Sequence, residues 1–163
     1  MTFVVPFDGS ELAEAALVRA VEYARALDQE ITTVTVVPER KRYAREKGWI
    51  DEDEPYNVEV TIGRLRERVH TLAPDAAFEY ERIREFPPED RIADHVERLA
   101  REHDPSVVFL GSDNVGRVVT PLTSVGVHVA SEQDYDVFIV RQAEPPKLEV
   151  LEPHEEFYDE ESD

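Results

Sequence analysis

Cysteine is absent from this 163-residue chain, which excludes disulfides and thiolate metal sites. Lysine is scarce, with only Lys41, Lys47 and Lys147 present. No apolar run approaches the ~20 residues that span a bilayer, and the N-terminus lacks a basic segment leading into an apolar one. The expectation is a cytoplasmic protein with no membrane insertion. The five histidines (His70, His95, His103, His128, His154) are scattered, and none forms a metal pair at helical spacing. No Walker A sequence and no GxSxG elbow occurs. The HxGH and SGGxDS signatures of nucleotide-handling enzymes are missing too. A phosphoacceptor site would want paired acids near the first strand and a lysine after the last, where Arg141 stands instead. The sequence therefore assigns no catalytic residue and no metal site.

What the chain has in excess is acid. Thirty-seven Asp and Glu oppose 18 Lys and Arg, for a net charge of -19. Such a charge keeps a protein soluble and strains its compact state by self-repulsion. At molar salt the Debye length falls to ~3 Å and the strain largely disappears. An acid-rich, lysine-poor composition is what concentrated salt favours, so a halophilic origin is expected. Nucleic acid is disfavoured as a partner, because phosphate backbones need a basic face. The 41% hydrophobic content is enough for one folded domain.

Two kinds of segment alternate. "FVVPF" (3–7), "ITTVTVV" (31–37), "VVFLG" (107–111) and "DVFIV" (136–140) are short and rich in β-branched or aromatic residues. They read as strands buried on both faces. "FEYERI" (78–83) partly alternates and reads as an edge strand. Between them, Leu12, Ala16, Ala20, Tyr23 and Leu27 make one helical stripe, and Val58, Ile62, Leu65, Val69 and Leu72 a second. Ile92, Val96 and Leu99 make a third after Pro88, a residue that suits a helix's first turn. The alternation predicts an open α/β sheet with right-handed crossovers. Ligands of such sheets bind beyond the carboxyl ends of the strands, where the strand order reverses.

Two segments break the rhythm. Residues 38–55 make a long connection that gathers Arg40, Lys41, Arg42, Arg45 and Lys47. This basic 40–47 flap is either an anion-binding element or, the favoured reading, a short solvated helix with salt-bridged charges. Trp49 within it reads as a lid over core surface rather than a stacking platform. The tail from Ala143 carries nine acids in 21 residues and is expected to be mobile.

Strand ends supply the candidate chemistry. "VVPFDGSE" puts Asp8 at the end of the first strand, with Gly9 to turn the chain and Ser10 to cap the next helix. Asp8 either accepts hydrogen bonds from a ribose hydroxyl or adenine amine, or holds the turn through its own backbone. The fourth strand ends in "GSDNVGRVVTPLTSVG" (111–126). Consecutive N–H groups of such a loop can cradle phosphate oxygens. Thr120–Pro121, or Ser124, starts a helix whose positive end faces the same place.

"VPFDGSE", the strand near 34–37, "VVFLGS", "TSV" and "YDVFIVR" resemble the universal stress protein family over roughly residues 2–141. The resemblance implies an adenine-nucleotide-alpha-hydrolase-like fold, with five parallel strands in the order 3-2-1-4-5 and helices on both faces. It also implies a domain over 1–142 with residues 143–163 as its acidic tail. ATP-binding members carry Asp at the position of Asp8. Their loop reads glycine, two residues, glycine, nine residues, glycine, then Ser or Thr. Gly111 and Ser112 match the start of that pattern, and Ser124 matches its end. Asn114 and Thr123 replace the second and third glycines, although Gly116 lies nearby. Asp113 stands where a histidine or arginine is usual. A carboxylate opposing an anion at ~4 Å costs ~1 kcal/mol in water and several times that in a drier site. Arg117 or the basic flap would have to offset it. If a nucleotide is retained, its site comprises Asp8, Val37, Gly111, Ser112, Gly116, Arg117, Thr123 and Ser124.

Val137, Phe138, Ile139 and Val140 form an apolar run in the last strand, which the implied strand order puts at a sheet edge. A homodimer formed there would cover it. Three function classes result. One is a non-enzymatic stress-response domain with a degenerate site, which requires no cofactor and acts through an unknown protein partner. The second is a sensor of ATP or AMP. The third is a regulatory partner of another acidic or membrane complex.

Overall fold

Strand β1 (Thr2–Pro6) sends alternate side chains to opposite faces, and that alternation organises the molecule. In the computed structural model, which describes residues 1–84, 89–111 and 135–144, Phe3, Val5 and Phe7 face one core and Val4 faces another. The chain continues through α1 (Glu11–Leu27), β2 (Glu30–Pro38), α2 (Lys41–Glu46), α3 (Val58–Leu72), β3 (Ala77–Ile83), α4 (Glu89–Arg101), β4 (Pro105–Gly111) and β5 (Asp136–Val140). All strand pairings are parallel, and the sheet order is β3-β2-β1-β4-β5. This is the architecture expected, with the "FEYERI" strand at one edge and the "DVFIV" strand at the other. Between β1 and β4 the order reverses, so a crevice is expected beyond their carboxyl ends.

Helix α1 starts where Ser10 Oγ accepts the Ala13 N–H at 3.2 Å. It packs on the Phe3, Val5 and Phe7 face through Ala13, Ala16, Leu17, Ala20 and Ala24. The expected stripe holds at Leu12, Ala16 and Ala20 and fails at its end. Tyr23 is 39% exposed and Leu27 59% exposed, because the contact face follows the alanines. Small residues let the helix lie close to the sheet, and a larger side chain in the line would push it away. Helix α3, capped by Asn57, joins this layer through Leu65 and Val69. On the other face α4 brings Leu99 and Ala100, with Ile92 and Val96 half-buried, against Val4, Val34, Val36, Val108 and Leu110.

Two buried threonines of β2 donate to backbone carbonyls. Thr33 Oγ1 donates to the Ala77 carbonyl at 3.0 Å and Thr35 Oγ1 to the Phe7 carbonyl at 2.6 Å. The second bond ties β2 to the residue just before Asp8. Among the described residues, no helix is long and apolar enough to cross a membrane.

Candidate functional site

The turn after β1 is built from four consecutive residues. Phe7 N–H closes the sheet on the Val34 carbonyl at 2.9 Å. Asp8 Oδ1 accepts the Ser10 N–H at 3.0 Å, so the aspartate does hold its own turn. Gly9 sits at φ +77°, in the left-handed region. A Cβ there would also lie 3.0 Å from Leu65 Cδ2. Ser10 then opens α1.

The other carboxylate oxygen is also taken. Lys47 Nζ donates to Asp8 Oδ2 at 2.8 Å, and the Trp49 indole donates to the Asp8 carbonyl at 2.7 Å. The pair is well shielded, with side-chain exposures of 13% for Asp8 and 27% for Lys47. Burial pushes the Asp8 carboxyl up, but the charge and hydrogen bond of Lys47 and the bonds from Ser10 outweigh it, and the carboxyl lies below its ordinary 3.8. Burial pushes the Lys47 ammonium down, yet Asp8 and Tyr43 hold it above its ordinary 10.5. Asp8 therefore stabilises the fold above pH 3.8, and that contribution is lost as pH falls through its lower folded value. Lys47 contributes below pH 10.5, and its share is lost as pH rises through its higher folded value.

The flap that delivers Lys47 bears on both readings of residues 38–55. Helix α2 is short, and Arg42 meets Glu46 across one turn at 3.2 Å, as a solvated helix would. Its end turns inward. Ala44 and Ile50 are buried, and between them Gly48 reverses the chain at φ +72°. Trp49 caps core surface near Leu65, Val37 and Val58, as expected of a lid. The Tyr43 ring meets Trp49 edge-on at 5.5 Å and lies 5.6 Å from Lys47 Nζ. Tyr56 completes the cover by donating its hydroxyl to the Pro38 carbonyl at 2.9 Å, and burial pushes that hydroxyl up to about 12.

Of the residues named from sequence, the structure brings Asp8 and Gly111 to the same corner. Gly111 ends β4, and a Cβ on it would stand 2.6 Å from the Leu12 carbonyl carbon and oxygen. Val37 lies one residue before the end of β2 and is fully buried, with Val58 and Ile62 beside it and Trp49 and Tyr56 packed against them. Ser112, Gly116, Arg117, Thr123 and Ser124 lie outside the described residues, as do Asp113, Asn114, Thr120, Pro121, His128 and the tail from residue 145. The Lys47 and Trp49 contacts to Asp8 escaped sequence reasoning. Their only signal was a basic cluster on an acidic chain. Among the described residues, no three His, Asp or Glu side chains converge as metal ligands would.

The open parallel sheet in this order matches the adenine-nucleotide-alpha-hydrolase-like fold that the family resemblance implies, and Asp8 leaves β1 where that resemblance puts an acid. The profile of the Universal stress protein family matches residues 1–141, and the chain belongs to that family. Similar solved structures include a universal stress protein in complex with cAMP, 21% identical, covering 86% of this chain and 97% of that one with a TM-score of 0.55. A universal stress protein from Archaeoglobus fulgidus is 19% identical, with coverages of 86% and 97% and a TM-score of 0.51. An Archaeoglobus fulgidus universal stress protein in complex with dAMP is 18% identical, with coverages of 86% and 96% and a TM-score of 0.50. No curated protein sequence matches this chain.

Proposed function

We propose that this universal stress protein domain is non-enzymatic, acts through protein contacts, and does not bind ATP in the conventional way. One observation carries the reading: both oxygens of Asp8, the acid at the switch point, already have partners within the chain. The loop sequence supports it, because Asp113 opposes a phosphate and two glycines of the nucleotide pattern are replaced. Equilibrium dialysis against ATP, ADP and AMP in molar KCl tests the reading. We expect no retention of ATP at micromolar concentrations, and micromolar ATP binding would overturn it. The solved complexes of relatives with cAMP and dAMP favour a second reading, a sensor of adenine monophosphates with no triphosphate site. Retained AMP without retained ATP would select it.

The proposed domain spans residues 1–142, with 143–163 as an acidic appendage. It pairs as a homodimer along β5. Val137, Phe138 and Ile139 are half-buried, and among the described residues β5 pairs with β4 alone. Tyr23 extends the apolar surface, with its ring 5.5 Å from that of Phe138. A second copy would cover this edge. Phe138→Glu should yield monomer or unfolded protein in sedimentation velocity at molar KCl, since the Phe138 ring also stacks on buried Phe109. An intact Phe138→Glu dimer would put the interface elsewhere.

A further inference from the structure

We propose that Lys47 is an internal ligand of Asp8 that closes the end of β1 to nucleosides, so that a nucleoside binds there only by displacing the lysine. The proposal rests on reading Asp8 as the acceptor of a nucleotide corner, and it assigns the closure to one side chain. Asp8 Oδ1 already accepts the Ser10 N–H and Oδ2 the Lys47 ammonium, so an entering ribose hydroxyl or adenine amine must share or take over an oxygen that has a partner. The lysine holds Oδ2 at 2.8 Å as an ion pair with full charge on both partners, whereas a nucleoside would bring an uncharged donor to the same carboxylate. It also competes as part of the same chain. Buried Ala44 and Ile50 anchor the segment on either side, and the Trp49 N–H closes the turn on the Ala44 carbonyl at 2.9 Å. The indole bond to the Asp8 carbonyl fixes the flap to the very residue that Lys47 caps. An intramolecular competitor lowers a ligand's apparent affinity by the fraction of molecules in which it is absent.

The lysine itself is the movable part. Its four-carbon stem can swing while the anchored backbone stays, and it is 27% exposed on the solvent side. Uncharged adenosine is the suitable probe, since it reads the Asp8 acceptor without the attraction of phosphates for Lys47. Calorimetric titration in molar KCl should show Lys47→Met binding adenosine at least tenfold tighter than the wild type. If Lys47→Met does not fold, Lys47→Gln is read in its place. Equal or weaker binding by the folded variant overturns the proposal. The intact protein gives a second measurement, because the whole chain has only three lysines. Acetylation followed by peptide mass spectrometry should find Lys47 modified at least tenfold more slowly than exposed Lys41. Saturating adenosine should then raise the Lys47 rate several-fold. A Lys47 as reactive as Lys41, or one still protected with adenosine bound, overturns the closure. Micromolar ATP binding by the wild type would defeat the functional reading instead, whatever the ratio between variant and wild type.

Discussion

Replacing Gly111 with alanine should lower the melting temperature by roughly 5–10 °C, the cost of about 2–3 kcal/mol of overpacking in a domain of this size. The new methyl would stand 2.6 Å from the Leu12 carbonyl carbon and oxygen and 2.8 Å from the Ala13 nitrogen. These are backbone atoms, so no side-chain rotation can relieve the clash. Neither partner is free to retreat. Gly111 is in register with Val140 in the β4–β5 pairing, and α1 lies on the sheet through its alanines. Strain in φ plays no part, since Gly9 and Gly48 are the described glycines at positive φ. Gly63→Ala in α3 is the matched control. Nothing lies within 4 Å of its added methyl, so it should raise stability by about 0.5–1 kcal/mol. Thermal melts of both variants by circular dichroism in molar KCl check the pair. A Gly111→Ala melt within 1 °C of the wild type, by order of magnitude below any real clash, would mean that the end of β4 stands off α1.

That expectation changes what the glycine means. In the sequence Gly111 looks like the first element of a phosphate loop, where a missing side chain lets a ligand approach. In the structure the helix that follows Ser10 occupies the space. A glycine is needed at Gly111 whether or not a nucleotide binds, so its presence argues only for the fold. Asp8 is similar in part. Its bond to the Ser10 N–H is a structural role that needs no ligand.

Legibility followed the range of the interactions. Strands and helices were readable because short apolar runs and helical spacing are local, as at Val58, Ile62, Leu65 and Val69, all of which are buried. The strand order was not in the periodicity at all and came from the family's motifs. The stripe of α1 misled at Tyr23 and Leu27 because strict four-three spacing carried it past Ala24, the position that is buried. The buried face runs instead through Leu12, Ala13, Ala16, Leu17, Ala20 and Ala24. The Lys47–Asp8 pair spans 39 positions and has no repeating pattern to announce it. Sequence reasoning offered two fates for the basic flap, a ligand site or solvation, and its last lysine took a third by turning inward to neutralise a carboxylate.

Dilution from molar KCl to about 0.05 M should unfold the protein or lower its melting temperature by ten degrees or more, roughly the effect of several kcal/mol. Salt acts in two opposed directions, and the magnitudes decide between them. Exposed ion pairs such as Arg64–Glu54 and Arg82 with Glu39 and Glu59 strengthen as salt falls, each by well under ~1 kcal/mol. Repulsion among the excess acids grows at the same time, because the screening length rises from ~3 Å at 1 M to beyond 10 Å below 0.1 M. With a net charge of -19, even complete pairing of every base leaves the surface strongly negative, so repulsion wins. The Lys47–Asp8 pair is shielded from bulk ions and should change little, which makes the transition global rather than a loss of the flap. Neutralising the exposed Glu52 and Asp53 together, as Glu52→Gln with Asp53→Asn, should shift the transition midpoint to lower salt. Screening explains such a shift, whereas a salting-out effect on apolar surface would leave the midpoint where it was. A melting temperature independent of KCl between 0.05 and about 2 M, where the Debye length changes several-fold, would mean that the acid excess is unrelated to salt.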